Sequence, residues 1–203
     1  ALLDSASLEP NFFTPKNFTA STLPDVPTNF EYMCCPRSIS DLSSKIGLGH
    51  IGPRVRRIVM SARFPVLVPS AVYKPWTRLA VFFGGSTNAV NALKLGMRIA
   101  RQTGMPLDIF TQAENRSRED YAAIIRDHYV EDELERLQQR WIFFDEGKFE
   151  TNLYAVPHDA LVILGAYGHG LIRDIAFGSK MENIQSTIPN NLLIVGPNYT
   201  AGI

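Results

Sequence analysis

The 203 residues allow one large domain or two small ones, and 45% hydrophobic with 10% aromatic residues is ample material for a core. Formal net charge is zero and no nucleic-acid-binding motif is present, which argues against a nucleic-acid partner. No apolar run approaches a membrane span and no signal peptide is visible, so a cytoplasmic protein without a membrane partner is expected.

Residues 1 to 29 hold Pro10, Pro15, Pro24 and Pro27 among Asn, Ser and Thr, a loop or linker composition with a short strand predicted at Ala1 to Leu3. A strand is predicted at Phe30 to Cys35. Its adjacent Cys34 and Cys35 satisfy neither disulfide geometry nor metal spacing and read as reduced thiols. Gly47, Gly49 and Gly52 form a G-x-G-x-x-G, but the preceding residues are too polar for a buried strand. No acid follows before Asp108 to hold a ribose, so the dinucleotide reading is discounted. Pro53 to Arg63 is predicted as a helix with Val55, Ile58, Val59 and Ala62 on one face, followed by a short strand from Pro65 to Pro69.

From Leu79 onward, strands and helices alternate. Leu79 to Phe83 is a strand, Gly84-Gly85-Ser86 turns the chain, and a helix runs to about Gln102, where Gly104 ends it. Leu107 to Thr111 is a strand, Arg118 to about Gln139 a single long helix, and Trp141 to Phe144 a strand; Glu150 to Ala155 is weakly helical. Ala160 to Leu164, a glycine loop, a short helix and the strand Leu192 to Val195 complete the unit. This alternation predicts an α/β fold with a mainly parallel sheet, whose ligands sit beyond the carboxyl ends of the strands. That rule gathers Phe83 to Ser86, Thr111 to Gln112 and Gly165 to Gly168 at one edge.

Charge is unevenly spread. Ten Lys or Arg and no acid lie between Leu42 and Leu107, while fifteen acids and eight bases lie between Asp108 and Glu182. Complementary surfaces, within the chain or across a dimer, account for the bulk of these charges, and a basic lining for phosphates is the alternative.

The loop after Leu164 reads Gly165, Gly168, Gly178, Ser179, a G-x2-G-x9-G-S between an apolar strand and a helix marked by Met181, Ile184 and Ile188. Glycines there let bare backbone approach an anion, with Gly178-Ser179 at a helix start; turns that need positive φ would use the same glycines, and spacing alone leaves both open. A gapless overlay sets Gly52 to Pro69 on Gly178 to Val195, with Gly52 on Gly178, Ile58 on Ile184 and Leu67 on Leu193. The shared order of glycine, amphipathic helix and terminal strand predicts two related units. In the first, Ile39 and Leu42 stand where the second has Gly165 and Gly168, and Pro53 replaces Ser179.

On these residues, the segment from about Thr77 to Pro197 resembles a universal stress protein domain, and residues 1–75 resemble the tail of a preceding, degenerate or incomplete copy. Residues 76–203 would then be the complete repeat. The resemblance implies an open five-stranded parallel sheet with helices on both faces and a site for ATP or another adenine nucleotide, with Mg2+ as a companion ion. By that resemblance Gly165, Gly168, Gly178 and Ser179 would hold ribose and phosphates, His169 and Gly170 would line the loop, and Phe82, Phe83 and Gly84 would face the adenosine. Gln112 would flank the base, and Lys180 would add a phosphate contact or point to solvent. Gly84 stands where the family usually has Asp, so affinity and base or metal preference are expected to differ. Pairing through the terminal strand, as a homodimer or between the repeats of one chain, is also implied.

The other chemical candidates are weaker. His50, His128, His158 and His169 lack metal-ligand spacing, and no Ser has a G-x-S-x-G frame. Glu131, Asp132, Glu133 and Glu135 form a charge run expected on a solvated helix face. With no evident general base or Walker-type Lys, slow ATP hydrolysis is the most that is expected. A dimerising scaffold of the same fold with a weak or empty nucleotide site is the alternative. An ATP-pyrophosphatase needs a Ser-Gly-Gly-x-Asp-Ser loop, of which Phe83 to Asn88 keeps only the two glycines.

Overall fold

A computed structural model describes residues 31–35, 51, 53–70, 72, 74–113, 116–128, 130–167, 184 and 188–201. The strands are β1 (Met33–Cys34), β2 (Val66–Val68), β3 (Arg78–Phe82), β4 (Leu107–Gln112), β5 (Gln139–Phe144), β6 (Ala160–Gly165) and β7 (Asn191–Val195). The helices are α1 (Pro53–Ser61), α2 (Thr87–Thr103), α3 (Arg118–Asp127), α4 (Glu131–Glu135) and α5 (Phe149–Asn152), the last continued by a 3-10 turn, Leu153–Ala155. The strand expected at Ala1 to Leu3 lies outside the described residues. Glu31–Ile203 form one compact unit, and Ala1–Phe30 group separately.

The sheet has seven strands in the order β1-β2-β7-β6-β3-β4-β5, not the five expected from the resemblance. Five parallel strands are present as β7-β6-β3-β4-β5; the other two come from before residue 75. The reason is the outer edge of β7. Its residues are all buried, and its unpaired backbone groups need partners. β2 supplies them antiparallel, with Leu67 opposite Leu193 and flanking pairs Val66–Ile194 and Val68–Leu192. β1 then runs parallel to β2 as β6 runs parallel to β7. Gly196 follows β7 so closely under α1 that a Cβ there would stand 1.8 Å from the Val59 carbonyl oxygen.

Strand periodicity sorts the core onto two faces. Leu79, Val81, Leu107, Ile109 and Ile163 pack with Ala92, Leu93 and Met97 of α2 and Tyr121 and Ile125 of α3. Ala80, Phe110, Val162, Leu164, Leu192 and Ile194 face the other way, toward Val55 and Val59 of α1 and toward Ile184 and Ile188. Helices therefore cover both faces. α2 begins at Ser86, whose hydroxyl accepts from the Ala89 amide, and ends at Gly104, at φ 72, whose N–H reaches the Ala100 carbonyl.

The single helix expected from Arg118 to Gln139 is instead two. α3 is opened by a capping box in which Ser117 accepts from the Asp120 amide and Asp120 accepts from the Ser117 amide. Those Ser117 donors hold the Asp120 carboxyl below its usual range. α3 stops at His128, and Val130 donates back five residues to the Ile125 carbonyl. The run His128-Tyr129-Val130 has low helix propensity, and the break lets Val130 and Leu134 both enter the core. The acids Glu131, Asp132 and Glu133 then occupy the favourable amino end of α4.

The two thiols diverge because neighbours on a strand point to opposite sides: Cys34 is exposed and Cys35 buried. Burial first, and Cys34 second, push the Cys35 thiol up to about 11. One thiol per chain is therefore expected to react rapidly with a disulfide reagent at pH 8, the second only after unfolding. Two fast thiols would contradict this packing.

Candidate functional site

The parallel strands β3, β4 and β6 end at one edge, and the loops there carry most of the expected site residues among those described. After β3, the Phe83 amide donates to the Phe110 carbonyl at 2.9 Å, and the Phe83 carbonyl accepts from the Thr111 hydroxyl at 2.9 Å. Thr111 in turn accepts from Trp141 Nε1 at 2.9 Å. The Phe83 ring is fully buried, edge-on to Tyr121 and Trp141, so Phe83 offers the edge its backbone and not its ring. Phe82 points to the opposite face, half-buried, 5.7 Å from the Phe110 ring and 6.3 Å from Phe149. Gly84 and Gly85 follow, and Gly85 takes φ 73, a turn conformation that favours glycine.

Gln112, at the end of β4, is already engaged. Its Oε1 accepts from Asn152 Nδ2 at 2.7 Å, and its Nε2 points at the Ala113 and Phe144 carbonyls at 3.4 and 3.5 Å. Asn152 also donates to the Glu146 carbonyl, which ties the turn after β5 to α5.

Gly165 closes β6 against the first turn of α2. A Cβ there would stand 2.4 Å from the Asn88 carbonyl carbon and 2.7 Å from the Ala89 nitrogen, both backbone atoms. The next residue is pinned on both sides. The Ala166 amide donates to the Val195 carbonyl at 2.8 Å, and its carbonyl accepts from Asn88 Nδ2 at 2.6 Å. Tyr167 then turns the chain with φ 59, uncommon for a residue with a side chain, and burial pushes its hydroxyl up to about 12. Sequence reasoning passed over Asn88, a buried amide in the first turn of a helix that joins the two halves of the edge. Gly168, His169, Gly170, Gly178, Ser179 and Lys180 lie outside the described residues.

The other candidates fall elsewhere. His128 lies half-buried at the end of α3, its Nδ1 2.9 Å from the Ile124 carbonyl, and His158 is exposed in a turn. No group of three or more His, Cys, Asp or Glu among the described residues could hold a metal. A cleft of about 650 Å3 lined by Ser61, Arg63, Asn198 and Thr200 contains none of the expected site residues. No helix among the described residues is long and apolar enough to cross a membrane.

The charge segregation resolves within the chain at several places. At the amino ends of the strands Arg140 grips Asp108 through Nε and Nη2, at 3.1 and 3.0 Å, and Arg78 lies 3.8 Å from Asp108 and 3.5 Å from Asp159. The Thr77 hydroxyl is the main reason that the Asp159 carboxyl sits below its usual range. Arg101 pairs with Glu133. Arg78 and Arg101 come from the acid-free stretch, and their partners from the acid-rich one.

No protein-family model matches the sequence, and no curated protein matches it. Among solved structures, the chain is similar to a universal stress protein from Archaeoglobus fulgidus DSM 4304, with TM-score 0.65 and 14% identity over 96% of this chain and 71% of that one. It is also similar to a provisionally assigned universal stress protein from Pseudomonas aeruginosa UCBPP-PA14, with TM-score 0.53 and 15% identity over 88% of this chain and 66% of that one. A protein of unknown function from Pseudomonas aeruginosa PAO1 matches with TM-score 0.53 and 14% identity over the same shares. The chain thus spans about two thirds of the length of the two Pseudomonas proteins. With its parallel strands, its covering helices and these likenesses, the chain has the universal stress protein fold.

Proposed function

We propose that this chain is a universal stress protein that binds ATP or another adenine nucleotide at the carboxyl edge of its sheet, for regulation rather than rapid turnover. The observation that supports it is the place of β6, whose last residue, Gly165, opens the G-x2-G-x9-G-S spacing: β6 pairs with β3 in the middle of the sheet. Chain order departs in opposite directions on the two sides of β3, to β4 and to β6, and ligands of open α/β sheets bind at such a switch point. The Gly84-Gly85 turn and Gly165 flank it. Gly165, Gly168, Gly178 and Ser179 would take ribose and phosphates, with His169, Gly170 and Lys180 beside them. The Phe82–Gly84 backbone and Gln112 would face the adenosine, and Mg2+ would accompany the phosphates.

The test is to denature the purified protein, identify any released nucleotide by mass, and titrate the emptied protein with ATP and Mg2+ by calorimetry. Micromolar binding is expected, with loss of at least tenfold in Gly168→Val at unchanged melting temperature. Binding that survives Gly168→Val places the site elsewhere.

A second reading, a scaffold with a weak or empty nucleotide site, draws on two observations. Gln112 is already held by Asn152, and β7 already has a partner in β2. Leu67 pairs with Leu193, the residue that the gapless overlay sets upon it, as two related terminal strands meeting about a local twofold axis would. On this reading residues 1–75 are the tail of a preceding repeat, and they take within one chain the place that a second copy would take in a homodimer.

A further inference from the structure

We propose that Arg116 is a phosphate-binding residue of the carboxyl edge, contacting the anionic end of the ligand; this deepens the nucleotide reading and rests on it. Arg116 lies between β4 and α3, directly before the capping residue Ser117. Its guanidinium reaches across to the turn after β3: a Cβ on Gly85 would stand 3.3 Å from Arg116 Nη1. Gly85 has no side chain, so the cation lies against bare backbone, beside the switch point.

Among the described acids, the Asp120 carboxylate feels the Arg116 charge, as the least of the influences on it. Arg116 is half-buried and has no carboxylate within ion-pair distance among the described residues. Of the two described acids that follow it, Asp120 accepts from the Ser117 amide and hydroxyl, while Glu119 pairs with Arg126. Arg118 differs, lying over the Trp141 ring at 5.2 Å. The turn from Phe83 to Asn88 contains no acid. A half-buried guanidinium has lost part of its hydration, and an anion seated on it offsets that loss. Its planar fork suits the oxygens of a phosphate, which accept two parallel N–H bonds.

The experiment uses the full chain and three probes by calorimetry: ATP, adenosine and inorganic tripolyphosphate. Arg116→Gln is expected to weaken ATP and tripolyphosphate by about tenfold or more, as loss of a charge-assisted hydrogen bond does, and to leave adenosine within twofold. Arg116→Lys should recover part of the loss, and circular dichroism melts of both variants should overlay the wild type. An Arg116→Gln protein that is folded and binds ATP and tripolyphosphate as the wild type does overturns the proposal and leaves the nucleotide reading standing. Tripolyphosphate binding that depends on Arg116, in a protein that binds neither ATP nor adenosine, upholds the proposal and overturns the nucleotide reading. A wild type that binds none of the three probes overturns both.

Discussion

Gly165→Ala is expected to lower the melting temperature by about 10 °C, a loss of about 3 kcal/mol. The added methyl would stand 2.4 and 2.5 Å from the carbonyl carbon and oxygen of Asn88 and 2.7 Å from the Ala89 nitrogen. These are backbone atoms in the first turn of a helix that packs on the sheet, so no side chain can swing away to make room. Relief requires separating β6 from α2, which also stretches the 2.6 Å bond from Asn88 to the Ala166 carbonyl. Gly104→Ala is the control. That site has nothing within 4 Å, and it costs only the left-handed backbone, about 1 kcal/mol. Thermal melts of the two variants decide the matter, and equal shifts would mean that β6 and α2 are not in such close contact. The result also bears on the motif. Gly165 has a packing reason that needs no ligand, so the phosphate reading leans on Gly168, Gly178 and Ser179 more than on the first glycine.

A chain shortened to residues 76–203 is expected to self-associate, where the full chain does not do so through β7. Removing β2 leaves β7 with an unpaired edge whose residues are buried and, Asn191 apart, apolar, a ready template for a second strand. Removing α1 also uncovers the face on which Val55 and Val59 pack, and Val66 and Val68 are lost with β2. Four buried valines at about 2 kcal/mol each approach the whole stability of a typical domain. Sedimentation and melting of the two forms read the outcome. A monomer that melts like the full chain would show that residues before 75 contribute little. A dimer restored to near-normal stability would show that one β7 can replace β2 as the partner of another, which supports the repeat reading.

The sequence made several elements legible because their signals are local. Ser86 and Gly104 bracket α2 by capping chemistry, and the alternation of Leu79, Val81 and Leu107, Ile109 marks strands whose two faces are both buried. The break at His128 was not legible. Helical spacing continues through Leu134 and Leu137, and the low helix propensity of His128-Tyr129-Val130 is a weak signal that ends the helix only together with the burial of Val130, a tertiary effect. Of the candidate site, the glycine spacing could be read directly, while Asn88 and Arg116 could not. Each matters through a neighbour far away in the chain, Ala166 for the one and Gly85 for the other.

By itself the sequence determined the α/β class, the parallel strands and the edge at which their loops gather, because periodicity, caps and glycine turns act over a few residues. Tertiary structure alone decided that the sheet has seven strands, since an edge pairs with whatever strand is within reach. It also decided that the Phe83 ring belongs to the core and that the Gln112 amide is held by Asn152. Side-chain direction and hydrogen-bond partners depend on what packs opposite, which no stretch of chain carries within itself.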